Sequence, residues 1–305
     1  MTNEISLSRR GFLRASGMAA MGAGAVALVG CGPSSASTGD AGSSAEAGSS
    51  AAASSTFGES GKLRVGMEVA YPPYNWQVSE ESEYTMPVDG QSGAYADGYD
   101  VVVAKKVAEA FDLEPVAVKL AWSGLIEALT SGQIDCIIAG MTATDERKES
   151  IDFSDPYFVG HYGLLVQSGS PYENATSLED FSGASVLGQK DTLLDTVIDE
   201  IPGVNHRTPV DSVPSQLSQL NQGAVDAITY NTENVKGLLA ANPNLVAVQF
   251  NGDYTLFPDE VPVNVGIAKG QDDVLAKIND VVNAIPEDEM QSEWDAVIER
   301  QPASA

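Results

Sequence analysis

One pattern occurs twice in this chain and constrains its fold more than any other feature. Residues 125–135 and residues 217–226 each read as the end of a helix, then Gly, then a short apolar strand that holds Asp. Strands and helices alternate through most of the remaining chain, which is typical of an α/β fold with mainly parallel sheets. Two similar halves imply two lobes of related build, and ligands of such folds lie in the crevice between lobes.

The composition and the rare residue types limit the classes of function. Acidic residues outnumber basic ones by 43 to 16, which gives a formal net charge of −27. A surface this acidic repels phosphate backbones, so we expect no nucleic-acid partner. The two cysteines, Cys31 and Cys136, and the two histidines, His161 and His206, form no cluster with metal-ligand spacing. We expect no metal and no cofactor, and we interpret both histidines as structural or surface residues.

The first 60 residues read as an export signal followed by a tether. Arg9 and Arg10 precede an apolar run, which resembles a twin-arginine signal peptide over residues 1–30. The end of that run resembles a lipobox, in which Cys31 is lipidated and becomes the new N-terminus. A transmembrane anchor is the alternative, but roughly 15 apolar residues fall short of the ~20 that span a bilayer. Residues 31–60 are rich in Ser, Ala and Gly, which predicts a disordered tether.

The stretch from Asp135 to Tyr157 carries the strongest indication of chemistry. Residues 136–139 read as a buried strand that ends at Gly140, and Thr142 or Thr144 then supplies a helix N-cap. A strand that runs through Gly and Thr into a helix leaves backbone N–H groups unpaired, and Arg147 adds a bidentate cation. This arrangement favours a carboxylate site. The alternative is an ordinary turn with a surface arginine.

The same stretch resembles a known family. Gly140-Met-Thr-Ala-Thr-Asp-Glu-Arg-Lys148, followed by Asp152-Phe-Ser-Asp-Pro-Tyr157, is similar to the signature of the family 3 extracellular solute-binding proteins, the receptors of polar amino-acid ABC transporters. The resemblance covers about 62–301. It implies a two-lobe periplasmic-binding-protein fold of type II, with the ligand in the interlobe cleft. We expect lobe 1 to comprise 61–161 plus 253–302, and lobe 2 to comprise 162–252.

The resemblance also implies roles for lobe-one residues. Arg147 would grip the α-carboxylate of the ligand, assisted by backbone groups of Ala139, Gly140 and Thr142.

Three further lobe-one positions match the family pattern. Tyr71 and Trp122 would sandwich the ligand side chain between flat faces and exclude water, although both could instead be core residues. Glu68 stands where relatives place a residue that reaches the ligand side chain. The alternative for Glu68 is a solvated surface carboxylate.

Lobe 2 departs from the family pattern. Relatives usually read Gln-x-Gly-Thr-Thr after the lobe-two strand, and this chain reads Gln189-Lys-Asp191-Thr192-Leu193. We expect Gln189 and Thr192 to contact the ligand, whereas Asp191 replaces the glycine and Leu193 replaces a ligand-touching hydroxyl.

The position that pairs with the ligand's ammonium also departs from the pattern. Relatives have Asp there, and this chain has Asn231, whose neutral amide accepts a hydrogen bond but forms no ion pair. Either Glu68 or Glu233 compensates, or the ligand's amine is modified or absent. We favour Glu68, because it lies on the loop that carries Tyr71.

Two local expectations concern the chain between the first strand and the first helix. Residues 77–97 carry five acidic residues and no basic one, which predicts a solvated loop insertion. Asp100 precedes the amphipathic pattern of residues 101–111 and is predicted to be its N-cap.

Together these features predict a binding protein and not an enzyme. We expect an extracytoplasmic lipoprotein, anchored to the outer face of the cell membrane. It would bind an amino acid or related small carboxylate by lobe closure and deliver it to an ABC permease. One alternative is a ligand-binding sensor. The other is an enzyme similar to cyclohexadienyl dehydratase, in which Glu68 and Glu233 would supply acid–base chemistry.

We expect Cys31→Ala to release a folded protein from the membrane fraction, because the lipid is the predicted anchor. Fractionation followed by a salt wash measures the distribution. The double change Arg9→Lys and Arg10→Lys is the comparison, since it should impair twin-arginine export without altering the anchor. Retention of Cys31→Ala in washed membranes would contradict the lipobox interpretation.

Overall fold

The computed structural model describes residues 57–302. The predicted signal peptide, Cys31 and nearly all of the predicted tether lie outside the described residues. The strands in chain order are β1 (Lys62–Met67), β2 (Ala70–Tyr71), β3 (Asn75–Val78), β4 (Met86–Pro87), β5 (Tyr95–Asp97), β6 (Glu114–Lys119), β7 (Cys136–Ile137), β8 (Ile151–Gly160), β9 (Tyr162–Gln167), β10 (Ser185–Leu187), β11 (Asn205–His206), β12 (Ala227–Asn231), β13 (Leu245–Ala247) and β14 (Val261–Ala268). The α-helices are α1 (Tyr99–Ala110), α2 (Leu125–Thr130), α3 (Asp145–Ser150), α4 (Leu193–Thr196), α5 (Val213–Asn221), α6 (Val235–Ala241), α7 (Asp272–Ala284) and α8 (Glu287–Arg300).

Two five-stranded sheets define the two lobes. The first sheet has the strand order β6-β1-β7-β14-β8 and the second has the order β11-β10-β12-β9-β13. In each sheet two neighbouring pairs are parallel and two are antiparallel, because one connecting strand, β14 in the first sheet and β9 in the second, runs against the others. The predicted α/β class with two related halves is confirmed, and the sheets are mixed where mainly parallel ones were expected.

The chain crosses between the sheets at two places. β8 ends in the first sheet at Gly160, and β9 begins in the second sheet at Tyr162. β14 returns to the first sheet at Val261. The lobe boundaries remain predictions, but Leu256 and Phe257 pack in a hydrophobic cluster of the second lobe. This packing places the return crossing closer to Val261 than to residue 253.

The larger hydrophobic core belongs to the first lobe and includes an aromatic cluster around Trp294 of α8. The ring of Trp294 stacks on Phe158 at a centroid distance of 4.2 Å and meets Tyr74 and Tyr99 edge-on at 5.4 and 5.3 Å. The C-terminal helix is thereby fixed to both the first helix and the crossing strand. Among residues 57–302, no helix combines the length and the hydropathy needed to cross a membrane.

The repeated Asp of the sequence pattern makes the same contact in both lobes. In lobe 1, Asp135 N donates to Arg64 O at 2.8 Å, and Arg64 N donates to the carboxylate of Asp135 at 2.7 Å. In lobe 2, Asp226 and Ser185 exchange the same two hydrogen bonds at 2.9 and 2.7 Å. Each Asp therefore joins its own strand to the neighbouring strand. In lobe 1 the Arg64 guanidinium adds a salt bridge of 2.7 Å.

The prediction of a solvated loop at residues 77–97 was wrong. Strands β3, β4 and β5 form a small sheet with β2, and Met86, Val88 and Ala96 are buried against the first core. Acidic side chains of the segment, at 80, 81, 83 and 89, are exposed. Asp97 is instead buried and accepts from Arg300 Nε at 3.0 Å. The prediction considered only the five acidic residues. It overlooked the apolar residues between them, which alternate along the strands and form one buried face.

The predicted N-cap at Asp100 was also wrong. Gly98 is the N-cap of α1, with φ of 131°, and Asp100 is the second residue of the helix. A Cβ atom at Gly98 would lie 2.2 Å from Tyr74 O, so only glycine permits this close approach. Asp100 is fully buried inside the first turn.

We expect Asp135→Ala to destabilise the protein by about 2–3 kcal/mol, because it leaves backbone and guanidinium donors without their acceptor. The matched change Asp226→Ala should cost about 1 kcal/mol, since Asp226 is exposed and water can replace it. Chemical denaturation of both variants measures the difference. Equal losses would contradict the role given to the Arg64–Asp135 pair.

Candidate functional site

The loop between β7 and α3 holds the first half of the site. Thr144, one of the two predicted caps, is the N-cap of α3, and its hydroxyl accepts from Arg147 N at 3.2 Å. Gly140 has φ of 66°, and a Cβ atom there would lie 3.1 Å from the Tyr71 ring. Glycine therefore lets this loop approach the aromatic loop of the same lobe. Asn264 of β14 accepts from Ala143 N at 3.2 Å and holds the loop from behind.

Arg147 reaches from α3 into the space between the lobes. Its Nη1 donates to Thr142 O and its Nη2 donates to Asp191 O of the second lobe, each at 2.8 Å. The guanidinium carbon lies 5.2 Å from the centroid of the Trp122 ring. Burial lowers the pKa of Arg147. Within residues 57–302, no carboxylate forms an ion pair with this guanidinium, so its bound partners are neutral carbonyls.

The loop after β1 supplies a second group of polar atoms. Tyr71 stacks on Tyr74 at a centroid distance of 5.1 Å, and its hydroxyl donates to Asn231 Oδ1 across the cleft. Both carboxylate oxygens of Glu68 lie 3.3 Å from Gln189 Nε2, again across the cleft. Burial raises the pKa of Glu68 to about 7, against the weaker opposing effect of the Gln189 hydrogen bond.

The lobe-two loop of residues 189–193 departs from the family pattern in sequence, but its backbone at residue 191 has a conformation that usually requires glycine. Asp191 has φ of 60°, which lies in the left-handed region. In this conformation its carbonyl accepts from Trp122 Nε1 at 3.0 Å as well as from Arg147. The hydroxyl of Thr192 is occupied within the loop, where it donates to Gln189 O at 2.7 Å.

The structure brings nine of the ten predicted ligand-binding residues to one cleft between the lobes, with a volume of about 410 Å³ including its open side. The nine are Glu68, Tyr71, Trp122, Gly140, Thr142, Arg147, Gln189, Thr192 and Asn231. Ala139 does not line the cleft and is buried behind Gly140. The cleft is also lined by Tyr162, Leu194, Val261 and Val263, to which the sequence gave no role, and by Leu193, which was noted only as replacing a hydroxyl. Three of these five lie on the crossing strands, where an apolar strand pattern does not show that one face is open.

Glu233, the second candidate for the ammonium, is engaged elsewhere. Its side chain is 3% exposed, and its Oε1 lies 2.9 Å from His161 Nδ1, whereas its Oε2 is buried without a hydrogen-bond partner within residues 57–302. The hydrogen bond with Glu233 raises the pKa of His161. Glu233 does not line the cleft, which leaves Glu68 as the lining carboxylate. His206 bridges Asp195 and Asp199 at 2.8 Å each, outside the cleft.

Comparisons with known proteins identify the family to which this fold belongs. Residues 63–296 match the family described as bacterial extracellular solute-binding proteins, family 3. The L-cystine-binding protein TcyJ of Escherichia coli K12 is 28% identical over 231 residues, which cover 75% of this chain and 79% of that protein.

Solved structures show the same fold. The amino-acid ABC transporter substrate-binding protein AbpA of Streptococcus pneumoniae, solved with L-arginine, gives a TM-score of 0.67 at 21% identity, covering 80% of this chain and 97% of that one. The ancestral amino-acid-binding protein AncCDT-1, described as a precursor of cyclohexadienyl dehydratase, gives 0.61 at 25% identity, covering 79% and 95%. The family match spans both lobes and the cleft between them, and the chain therefore belongs to the family 3 bacterial extracellular solute-binding proteins, as residues 140–157 predicted.

Proposed function

We propose that this protein binds a free amino acid or a related small carboxylate in the interlobe cleft and delivers it to an ABC permease. Lipid on Cys31 would hold it at the outer face of the cell membrane. The observation that carries the proposal is the guanidinium of Arg147, which projects into the cleft and contacts carbonyls but no carboxylate of residues 57–302. The names of the similar proteins, which refer to cystine and to amino acids, support this ligand class.

A carboxylate ligand would supply the charge that the Arg147 site lacks. A partly buried guanidinium bound to neutral carbonyls keeps N–H groups for a further acceptor, because it carries five in a planar fork. An anion in the cleft would make charge-assisted hydrogen bonds, which are about twice as strong as neutral ones. The backbone of Gly140 and Thr142 borders the same end of the cleft.

The ammonium of the ligand would be held on the other side of the cleft, by Asn231 and Glu68. Asn231 offers an amide oxygen that already accepts from Tyr71, so a cation there needs a further charge partner. Glu68 is the only carboxylate among the described residues that line the cleft. Its contact with Gln189 is long, at 3.3 Å, and leaves both oxygens able to accept from a donor.

Ligand contacts to both lobes would favour the closed arrangement. Polar residues from each lobe already meet across the cleft at Tyr71–Asn231, Glu68–Gln189 and Arg147–Asp191. A ligand that reaches Arg147 and Glu68 together would add its own contacts to this set.

The enzyme alternative rests on the likeness to AncCDT-1 and on the raised pKa of Glu68, which suits proton transfer near neutral pH. Binding is favoured because Glu233 lies outside the cleft, so the predicted acid–base pair is not assembled. A prephenate turnover assay beside a calorimetric amino-acid titration separates the two. The sensor alternative differs only in the partner, which neighbouring permease and ATPase genes would identify.

We expect Arg147→Ala to weaken amino-acid binding by about 2–5 kcal/mol, because it removes the cation that faces the ligand carboxylate. Isothermal calorimetry with the purified domain measures the loss. Lys148→Ala is the matched control, since Lys148 is the exposed neighbour on the same helix and pairs with the exposed Asp145. Wild-type affinity in a folded Arg147→Ala protein would contradict the proposal that Arg147 binds the ligand carboxylate.

We expect Glu68→Gln to weaken binding of free amino acids and to change its pH dependence. The pKa of about 7 means that Glu68 is increasingly protonated below neutral pH, where it no longer pairs with an ammonium. Wild-type Kd should therefore rise as pH falls from 8 to 5, by up to about tenfold per pH unit below 7. The Glu68→Gln protein should have a flatter profile, which calorimetry at several pH values would show.

Asn231→Asp is the complementary variant. It keeps the acceptor for Tyr71 and restores the carboxylate of the family pattern, so free amino acids should bind as well or more tightly. Weaker binding by Asn231→Asp, together with no loss in Glu68→Gln, would instead indicate a ligand without a free ammonium group.

A further inference from the structure

A buried carboxylate behind the cleft has no ionic partner. Asp100 is 0% exposed and forms no salt bridge with any residue from 57 to 302. Its two oxygens instead accept from Asn75 Nδ2 at 2.8 Å and from the Tyr157 hydroxyl at 2.5 Å. Burial raises the pKa of Asp100 to about 6, against the opposing effects of hydrogen bonds from Tyr157, Asn75 and the Gly140 backbone. A buried charge with neutral partners is costly, so the carboxylate depends on these hydrogen bonds for its stability.

The first of these partners leads to the aromatic loop. Asn75 Oδ1 accepts from Val69 N at 2.7 Å, and Val69 has the left-handed φ of 54°. Val69 follows Glu68 directly and precedes Tyr71 by two residues. The start of α1 adds two bonds to this loop, from Tyr99 N to residue 73 and from Asp100 N to residue 74, at 3.0 and 2.8 Å.

The second partner leads to the loop that carries the carboxylate site. The hydroxyl of Tyr157 accepts from Gly140 N at 3.2 Å. A phenol has one proton and two lone pairs, so donation to Asp100 leaves a lone pair for the Gly140 amide. Asp100 therefore determines which way the Tyr157 proton points.

We propose that Asp100 is a positioning residue of the ligand site. It fixes two separate segments of lobe 1, residues 68–71 through Asn75 and residues 139–142 through Tyr157. The inference rests on the proposed function in taking the cleft as the ligand site. The new element is that one carboxylate, which would not touch the ligand, fixes the position of the two segments relative to each other.

An amide at this position cannot replace the carboxylate. Both side-chain partners of Asp100 donate to it, and an asparagine offers only one acceptor oxygen. If that oxygen faces Tyr157, the new NH2 group meets the Asn75 NH2 group, and Asn75 must turn away from Val69. If it faces Asn75, the Tyr157 hydroxyl must reorient, and its bond to Gly140 weakens. Either way one segment loses its anchor.

The test compares Asp100→Asn and Tyr157→Phe with the control Tyr74→Phe. The Tyr74 hydroxyl is equally buried but has no hydrogen-bond partner within residues 57–302. Calorimetry with L-arginine, L-cystine, L-histidine and L-glutamine gives Kd. For any probe that the wild type binds, Kd should rise roughly three- to tenfold in the first two variants and stay unchanged in the control.

Amide hydrogen exchange of the unliganded protein provides a readout that does not depend on ligand identity. Tyr157→Phe should speed exchange at Gly140 but not at Val69, whereas Asp100→Asn should speed exchange at one or both. Asp100→Asn alters a fully buried group and could prevent folding. In that case Tyr157→Phe, which keeps the aromatic ring, still tests the connection from Tyr157 to Gly140.

The outcomes separate the two proposals. If the wild type binds none of the probes, the amino-acid function loses its support, while the exchange rates at Gly140 still decide the role of Asp100. Unchanged exchange at Gly140 in both Tyr157→Phe and Asp100→Asn would overturn the positioning role. Unchanged Kd in folded variants, for a probe that the wild type binds, would overturn it as well.

Discussion

The antiparallel pairing of β8 with β14 is the constraint on which both lobes and the cleft depend. It runs from Ile151–Ala268 to Gly160–Val261 and ends where both strands leave for the second lobe. Its register shifts around Asn264, whose backbone N–H donates to Met141 O at 2.8 Å and whose amide donates to Ser154 O at 2.8 Å. The irregularity in this ladder therefore supports the loop that precedes Arg147. One strand pair both connects the lobes and holds half of the site.

The two halves of the site are supported differently. Lobe 1 holds its candidate binding segments through buried side chains behind them, at Asp100 and Asn264. Lobe 2 presents Asp191 through a backbone conformation that usually selects glycine, and Thr192 is bonded within its own loop. The candidate binding segments of lobe 1 are thus anchored by distant buried side chains, whereas the lobe-two loop is held by bonds closer along the chain.

The sequence predicted those features that depend on neighbours along the chain. A cap at Thr142 or Thr144, Arg147 on the helix that follows and the repeated Asp residues at 135 and 226 follow from local spacing, and the structure selects Thr144 as the cap. Features set by distant partners could not be predicted. Asp100 was predicted to be a cap. Only the fold shows that Tyr157, 57 positions away, donates a hydrogen bond to it. Tyr162 and the β14 residues of the cleft were missed because strand register, which no local pattern encodes, determines what they face.

The Asp191 carbonyl gives the cleft an internal competitor. It occupies one N–H of Arg147 and the indole N–H of Trp122, which leaves fewer donors for an anion at the proposed site. A carboxylate at Arg147 would either use the remaining guanidinium N–H groups or displace the carbonyl, and in the second case only the difference between the two sets of bonds would contribute to affinity. A ligand too small to reach the second lobe would meet this competition without compensation. Selectivity for ligand length would therefore arise from the protein's own backbone, in addition to any side-chain pocket.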